Sequence, residues 1–133
     1  MEIALYALTL GIFAAVGQED AGRAVQGQSP FACNRLGLTA QERKRHFEEL
    51  GPTLRNLRTG VRELPDGYAF EFPATFETLR LVAEWAAGER LCCPFFDIDI
   101  KLKREAGSLS LILTGRDGVK DFIKVEGAAW LEP

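Results

Sequence analysis

Residues 89–96 (ERLCCPFF) join the most apolar helical pattern of the chain to its clearest strand pattern. The helical pattern runs from Thr75 to about Leu91 and is apolar over so much of its surface that the helix is expected to lie between other elements. Pro94 ends it, because the residue before a proline is pushed out of helical geometry. Residues 96–103 (FDIDIKLK) then alternate strictly between apolar and polar, which predicts a half-buried strand. The apolar face of the helix is predicted to consist of Phe76, Leu79, Val82, Ala83, Ala86 and Ala87, widened by Leu81 and Trp85.

Two hairpins account for the strand patterns. Residues 62–73 hold a Pro-Asp-Gly turn at 65–67, in which glycine is free to adopt a positive φ, and aromatic residues alternate along the strand that follows. The strand at 96–103 turns at 106–107 (AG) and returns as 108–113 (SLSLIL), which predicts an antiparallel partner.

Two further helices flank the hairpins. Thr39 and Glu42 form a capping-box pattern at the start of the first, and Asp117 is expected to cap the last. Gly51 and Pro52 interrupt the first helix, which predicts a kink or two short helices because proline lacks an N–H and clashes with the preceding turn. The apolar stripe of the first helix is Phe47, Leu50, Leu54, Leu57 and Val61.

The order helix, hairpin, helix, hairpin, helix predicts an α+β fold, in which helices cover one face of a four-stranded antiparallel sheet. The strand-helix-strand-strand-helix portion is similar to a ferredoxin-like split unit, and residues 128–131 are a candidate for its final strand. A chain of 133 residues supplies one domain, which we assign to residues 31–133. Residues 18–30, rich in Gly, Gln and Ala, are expected to form a linker.

The N-terminal segment has an uncharged apolar run at residues 3–16 (IALYALTLGIFAAV). It is shorter than the roughly 20 residues that a membrane span needs, and it has the length of a signal-peptide hydrophobic region. Residues 1–17 are therefore predicted to be a signal peptide, which implies export to the periplasm, although Glu2 and the lack of Lys or Arg are atypical. The alternatives are a buried element of a cytoplasmic protein and, less favoured, a membrane anchor.

The composition is that of a globular protein, with 47% hydrophobic and 26% charged residues and a formal net charge of -3. Lys and Arg cluster at residues 43–45 and 101–104, but acidic neighbours dilute both clusters, so a nucleic-acid partner is not favoured. The sequence has no Ser-His-Asp signal, no H-E-x-x-H and no glycine-rich phosphate loop. A binding domain is therefore favoured over an enzyme.

Three cysteines carry the most specific chemistry in the sequence: Cys33, Cys92 and Cys93. Thiolates are soft ligands that select copper(I), zinc or mercury(II) over hard cations. Adjacent helical side chains point about 100° apart, but a helix end before Pro94 relaxes that restriction. Cys33 with one or both of the tandem cysteines is therefore the predicted site for a soft metal or metalloid ion.

Three other interpretations of the cysteines stay open. They can be structural, since free cysteine is among the most buried residue types. Cys33 can form a disulfide with Cys92 or Cys93, closing a loop of about 60 residues. A thiol redox protein is the third alternative, and it requires an exposed thiol with a lowered pKa.

The remaining polar candidates are interpreted as solvated charges. His46 lies among charged residues of the first helix and is expected on the surface. Glu84 and Glu89 are expected to be solvated near the end of the central helix. Asp97 and Asp99 share a strand face with two lysines, which favours a solvated face over a carboxylate pair.

Four segments of the chain, 31–33 (FAC), 64–73 (LPDGYAFEFP), 89–96 (ERLCCPFF) and 113–122 (LTGRDGVKDF), resemble a small family of bacterial proteins. They also resemble C-terminal extensions of some mercury-responsive (MerR-type) regulators. The resemblance implies a ligand-sensing or metal-handling accessory domain whose partner is a metal ion or small molecule. By motif match it implies Cys33, Cys92 and Cys93 as ligands. The sequence lacks the DNA-binding helix-turn-helix of the regulators.

Overall fold

The computed structural model of the protein describes residues 28–133. Two hairpins build its four-stranded sheet: β1 (Gly60–Leu64) pairs with β2 (Gly67–Phe72), and β3 (Asp97–Leu102) pairs with β4 (Leu109–Thr114). All neighbouring strands are antiparallel, and the order across the sheet is β1-β2-β4-β3. The predicted α+β fold with a four-stranded antiparallel sheet is confirmed. The expected signal peptide at 1–17 and most of the expected linker at 18–30 lie outside the described residues.

Helical segments precede, connect and follow the hairpins. A 3-10 turn at Arg35–Gly37 leads into a continuous helical run made of α1 (Ala40–Arg43), a π-helical stretch (Lys44–Leu50) and α2 (Gly51–Leu57). The central helix α3 (Phe76–Cys92) joins the two hairpins, and α4 (Val119–Glu126) and α5 (Ala128–Leu131) close the described chain. Among the described residues, every helix is too short or too polar to cross a membrane.

The split unit predicted from the sequence is present. Strands β2 and β3 are each antiparallel to β4 and lie on either side of it, with α3 as the connection between them. The final strand suggested at 128–131 is wrong, because those residues form α5. The position beside β2 is occupied instead by β1, so the first hairpin supplies the strand that the end of the chain does not.

The first helical run shows how Pro52 is accommodated. The predicted Thr39–Glu42 capping box is present, with both reciprocal hydrogen bonds. No break occurs at Gly51, which keeps right-handed helical dihedrals. Its N–H donates to the carbonyl of His46, five residues back, so the turn before the proline is widened. A wider turn relieves the contact between the proline ring and the carbonyl four residues earlier, which explains a π-helical stretch in place of a kink.

The core lies between the helices and one face of the sheet, where β2 contributes Tyr68, Phe70 and Phe72 and β4 contributes Leu109, Leu111 and Leu113. The face predicted for α3 is partly wrong. Phe76 is 79% exposed, and Ala83 and Ala87 are also exposed. The side chains of α3 that are buried are Thr78, Val82, Trp85, Ala86, Glu89 and Cys92.

The last helix begins differently from the prediction. Gly118, at φ 100°, is the N-cap residue of α4, and Asp117 makes no side-chain cap hydrogen bond. A residue with a side chain is disfavoured at such a positive φ, and a Cβ on Gly118 would lie 2.5 Å from the ring of Phe31. Glycine therefore permits both the turn into α4 and the close approach of the Phe31 ring.

Candidate functional site: a buried thiol cluster

Cys33 is joined to Cys93 by a disulfide, with their Cα atoms 4.9 Å apart. Two backbone contacts hold the segment around Cys33 against the end of α3. The N–H of Asn34 donates to the carbonyl of Cys92 at 2.6 Å. Gly37 packs so closely that a Cβ there would lie 2.7 Å from the carbonyl oxygen of Leu91. The segment 33–37 is thus docked on the last turn of the central helix.

The tandem cysteines converge because the helix ends between them. Cys92 is the last residue of α3, and Cys93 leaves helical geometry at φ −126° and ψ 68°. The two sulfurs lie 3.8 Å apart, and both residues are fully buried. The structure therefore brings all three predicted cysteines together at one point, as the helix end before Pro94 allows.

A buried pair of polar side chains lies beside the sulfurs. Nε2 of His46 is 2.8 Å from Oε2 of Glu89, and the two residues are 3% and 8% exposed. The same carboxylate oxygen is 3.6 Å from Sγ of Cys92, which donates to it. The expectation that His46 and Glu89 are solvated is wrong. Glu84 is on the surface as expected, where its ion pair with Arg45 lowers the pKa of its carboxyl group.

The sequence held a signal for this pair. His46 precedes Leu50 by four residues and Leu54 by eight, so it belongs to the apolar stripe of its helix. Glu89 follows Trp85 by four residues and precedes Cys92 by three, which places it on the buried side of α3. The charged neighbours of both residues concealed that spacing.

Aromatic side chains fix the orientation of the imidazole. Its ring stacks on Trp85 with centroids 5.4 Å apart and meets Phe47 edge-on at 4.8 Å. Nδ1 has no hydrogen-bond partner among the described residues and faces Gly88, where a Cβ would lie 2.6 Å away. A bare lone pair on Nδ1 costs less than an unpaired N–H, so the proton belongs on Nε2, which donates to Glu89.

Burial, and after it the negative charge of Glu89, together raise the pKa of the Cys92 thiol to about 12. A thiolate is disfavoured where it has little solvation and a carboxylate beside it. In the disulfide-bonded protein, Cys92 is therefore a neutral thiol and a poor nucleophile.

Four ligand atoms of the cluster lie within 4.8 Å of one another: one from each of Cys33, Glu89, Cys92 and Cys93. Three are soft sulfurs and one is a carboxylate oxygen, a set that suits soft or borderline metal ions. Cys33 is exposed while the other three residues are buried, so the cluster is open to solvent from one side. This arrangement could hold a metal ion once the disulfide is opened.

The cluster borders a cavity of about 200 Å³. Its lining includes Cys33, His46 and Glu89 together with the aromatic residues Phe70, Trp85, Phe96, Phe122 and Trp130. Cys33, an exposed residue, thus also lines a largely apolar cavity.

No protein-family model, curated protein or solved structure matches the chain. The resemblance to a small bacterial family and to MerR-type regulators therefore stays a prediction, and the site is interpreted from its own geometry.

Proposed function

We propose that the reduced protein binds one soft metal or metalloid ion through the thiolates of Cys33, Cys92 and Cys93, as a binding domain without catalytic activity. The observation that carries this proposal is the grouping of these three sulfurs with a carboxylate oxygen of Glu89 within 4.8 Å of one another. The sulfurs of Cys92 and Cys93, 3.8 Å apart, are at the spacing of two thiolates on one ion, since zinc–sulfur bonds are about 2.3 Å long. Cys33 and Cys93 are bonded to each other, and their sulfurs reach that spacing only after reduction.

The donor set favours particular ions. Three thiolates suit mercury(II) or copper(I), and three thiolates with one carboxylate also suit zinc, which takes four ligands in a tetrahedron. The carboxylate of Glu89 is already held by His46, an arrangement that orients a metal ligand through a second hydrogen bond. Hard cations are disfavoured because only one oxygen is present.

Metal binding requires the disulfide to be reduced. A dithiol reductant would transfer two electrons and two protons, so that Cys33 and Cys93 each become thiols while the reductant becomes a disulfide. Binding of the ion then displaces the thiol protons to solvent. The charge of the metal stabilises the thiolate of Cys92, and this attraction offsets the raised pKa of its thiol.

The second candidate function is a structural crosslink, and the disulfide itself favours it. It ties Cys33 to a residue 60 positions later and anchors the segment around Cys33 to the end of α3. Disulfides persist in oxidising compartments, so this candidate fits the expected export, whereas metal binding by the reduced form fits a reducing compartment. The redox alternative is less supported, because the high pKa of Cys92 disfavours thiolate attack on Cys93.

The test is a titration of mercury(II), copper(I) or zinc into the reduced protein. Calorimetry and thiolate-to-metal charge-transfer absorption monitor the binding. We expect one ion per chain, with binding lost in a Cys33→Ser, Cys92→Ser double variant. Asp97→Asn, which changes an exposed carboxylate outside the cluster, is the matched control and should bind normally. No binding by the reduced protein, or unchanged binding by the double variant, would reject the metal proposal and leave the crosslink.

A further inference from the structure

The outer strand of the second hairpin has an unpaired edge. In the order β1-β2-β4-β3, strand β3 contacts β4 on one side and no strand of the described chain on the other. Ile100 and Leu102 belong to the sheet face that packs on the core elsewhere, since they lie opposite Leu111 and Leu109. They are nevertheless 39% and 52% exposed, so the apolar face continues beyond the part that the helices cover.

The backbone N–H and C=O groups of successive residues in β3 point alternately toward β4 and toward the free edge. The N–H of Lys103 donates to the carbonyl of Ser108 at 3.1 Å, which marks this as a hydrogen-bonded pair of the β3–β4 ladder. Hydrogen-bonded pairs alternate along an antiparallel ladder, so residues at odd positions direct their backbone groups toward β4. The N–H and C=O groups of Ile98, Ile100 and Leu102 therefore point outward at the free edge.

On the other face of β3, two acidic side chains are followed by two basic ones. Asp97 and Asp99 precede Lys101 and Lys103 at alternate positions, all on the side opposite the apolar residues. Among the described residues, none of these four side chains forms an ion pair. A strand with acids at one end and bases at the other is complementary to an antiparallel copy of itself.

We propose that β3 is a dimerisation strand, which pairs antiparallel with β3 of a second copy of this chain across a two-fold axis at Ile100. In that register Ile100 faces Ile100 of the second copy, and Ile98 faces Leu102 of the second copy, with their outward backbone groups hydrogen-bonded. Asp99 then faces Lys101, and Asp97 faces Lys103. The two four-stranded sheets join into one continuous sheet.

The charges select this register over its neighbours. A shift of one pairing step sets Asp99 against Asp99 of the second copy, and the opposite shift sets Lys101 against Lys101. Like charges directly opposite one another destabilise a strand pair, whereas opposite charges stabilise it. Isologous contacts of this kind close into a dimer and do not propagate into fibres.

A charged edge strand is also a common device that prevents pairing between molecules. That role is served best by charges of one sign, which repel in every register. The separation of acids from bases along β3 instead removes the repulsion in one register, and the exposed Ile100 and Leu102 supply apolar area to bury there.

The test measures oligomeric state by analytical ultracentrifugation and native mass spectrometry over a range of protein concentrations. The wild-type protein is expected to form a dimer, and Asp99→Lys or Lys101→Asp should raise the dissociation constant about tenfold or more, because each variant sets like charges opposite one another twice. The double variant Asp99→Lys, Lys101→Asp restores opposite charges at both places and should recover the dimer. Asp66→Lys, at the exposed turn of the first hairpin, is the matched control and should leave the dimer intact.

Two results would overturn the proposal. If the wild-type protein is monomeric at every concentration, the charges of β3 serve to prevent strand pairing between molecules. A dimer that persists in both single variants, or that the double variant fails to recover while circular dichroism shows it folded, places the interface elsewhere. Neither result bears on metal binding, because the four charged side chains of β3 are not part of the thiol cluster.

Discussion

The imidazole of His46 and the carboxylate of Glu89 are joined by a 2.8 Å hydrogen bond in the interior of the protein, although 43 residues separate them in sequence. The bond links the π-helical stretch Lys44–Leu50 to the last turns of α3. Because Glu89 also accepts from Cys92, the pair connects the first helical run to the thiol cluster.

Replacement of His46 by alanine is expected to destabilise the protein by about 2–4 kcal/mol. The change leaves the Glu89 carboxylate buried with no imidazole donor and removes a ring that packs on Trp85. Chemical denaturation monitored by tryptophan fluorescence measures the loss. Glu89→Gln, which keeps an acceptor for Nε2–H, should cost less than His46→Ala.

The matched surface change is Arg45→Ala, one residue away. Arg45 pairs with Glu84 and Glu49, but its side chain is 42% exposed and both partners are 46% exposed. Exposed ion pairs are worth about 0–1 kcal/mol, so the free energy of unfolding should change little. Equal losses for the two variants would contradict the assignment of His46 to the core.

Removal of the disulfide is expected to lower the free energy of unfolding by about 4 kcal/mol, the chain-entropy value for a closed loop of 60 residues. The Cys33→Ala variant and the reduced wild-type protein should therefore unfold at similar denaturant concentrations. Added reductant should have no effect on Cys33→Ala. A wild-type midpoint that is insensitive to reductant would show that the crosslink is absent in solution.

Two helical glycines are expected to respond oppositely to alanine. A Cβ on Gly88 would lie 2.6 Å from Nδ1 of His46, whereas a Cβ on Gly51 would make contacts no closer than 3.4 Å. Alanine favours a helix over glycine by roughly 1 kcal/mol, so Gly51→Ala should be neutral or stabilising. Gly88→Ala should lower the melting temperature despite that gain, because the imidazole ring must shift. Thermal denaturation of both variants provides the measurement.

Alkylation with iodoacetamide near neutral pH is expected to leave Cys92 unmodified in the native oxidised protein. Its side chain is fully buried, and burial beside Glu89 raises the pKa of the thiol to about 12. Mass spectrometry should detect labelling only after a denaturant is added. Rapid labelling of the folded protein would instead support the thiol redox alternative, which requires a reactive exposed thiol.

Local patterns predict most elements of this fold, with α5 as the exception. The alternation at 96–103 and the proline after Cys93 located β3 and the end of α3, and the Thr39–Glu42 pair located the start of α1. The same proline indicated that adjacent cysteines can converge, and the three sulfurs do meet. These features depend on residues close in sequence, where period and capping chemistry determine the conformation.

Features that depend on packing between distant segments were not predicted. The pairing of β2 with β4, which joins the two hairpins in the order β1-β2-β4-β3, follows from tertiary contacts, as does the choice of Cys93 over Cys92 as the partner of Cys33. The sequence predicts His46 and Glu89 in solvent because each side chain, considered alone, is unfavourable in a core. A buried charge is tolerated only with its partner, and the partner lies on another helix.

Because the turn ahead of Pro52 is widened, the direction of the His46 imidazole depends on the number of residues in that turn more than on their types. Successive positions on a helix differ by about 100°, so deleting one residue between His46 and Gly51 would remove the widened turn and rotate the imidazole away from Glu89. The number of residues in this segment thus sets the direction in which the first helical run presents the imidazole to the thiol cluster.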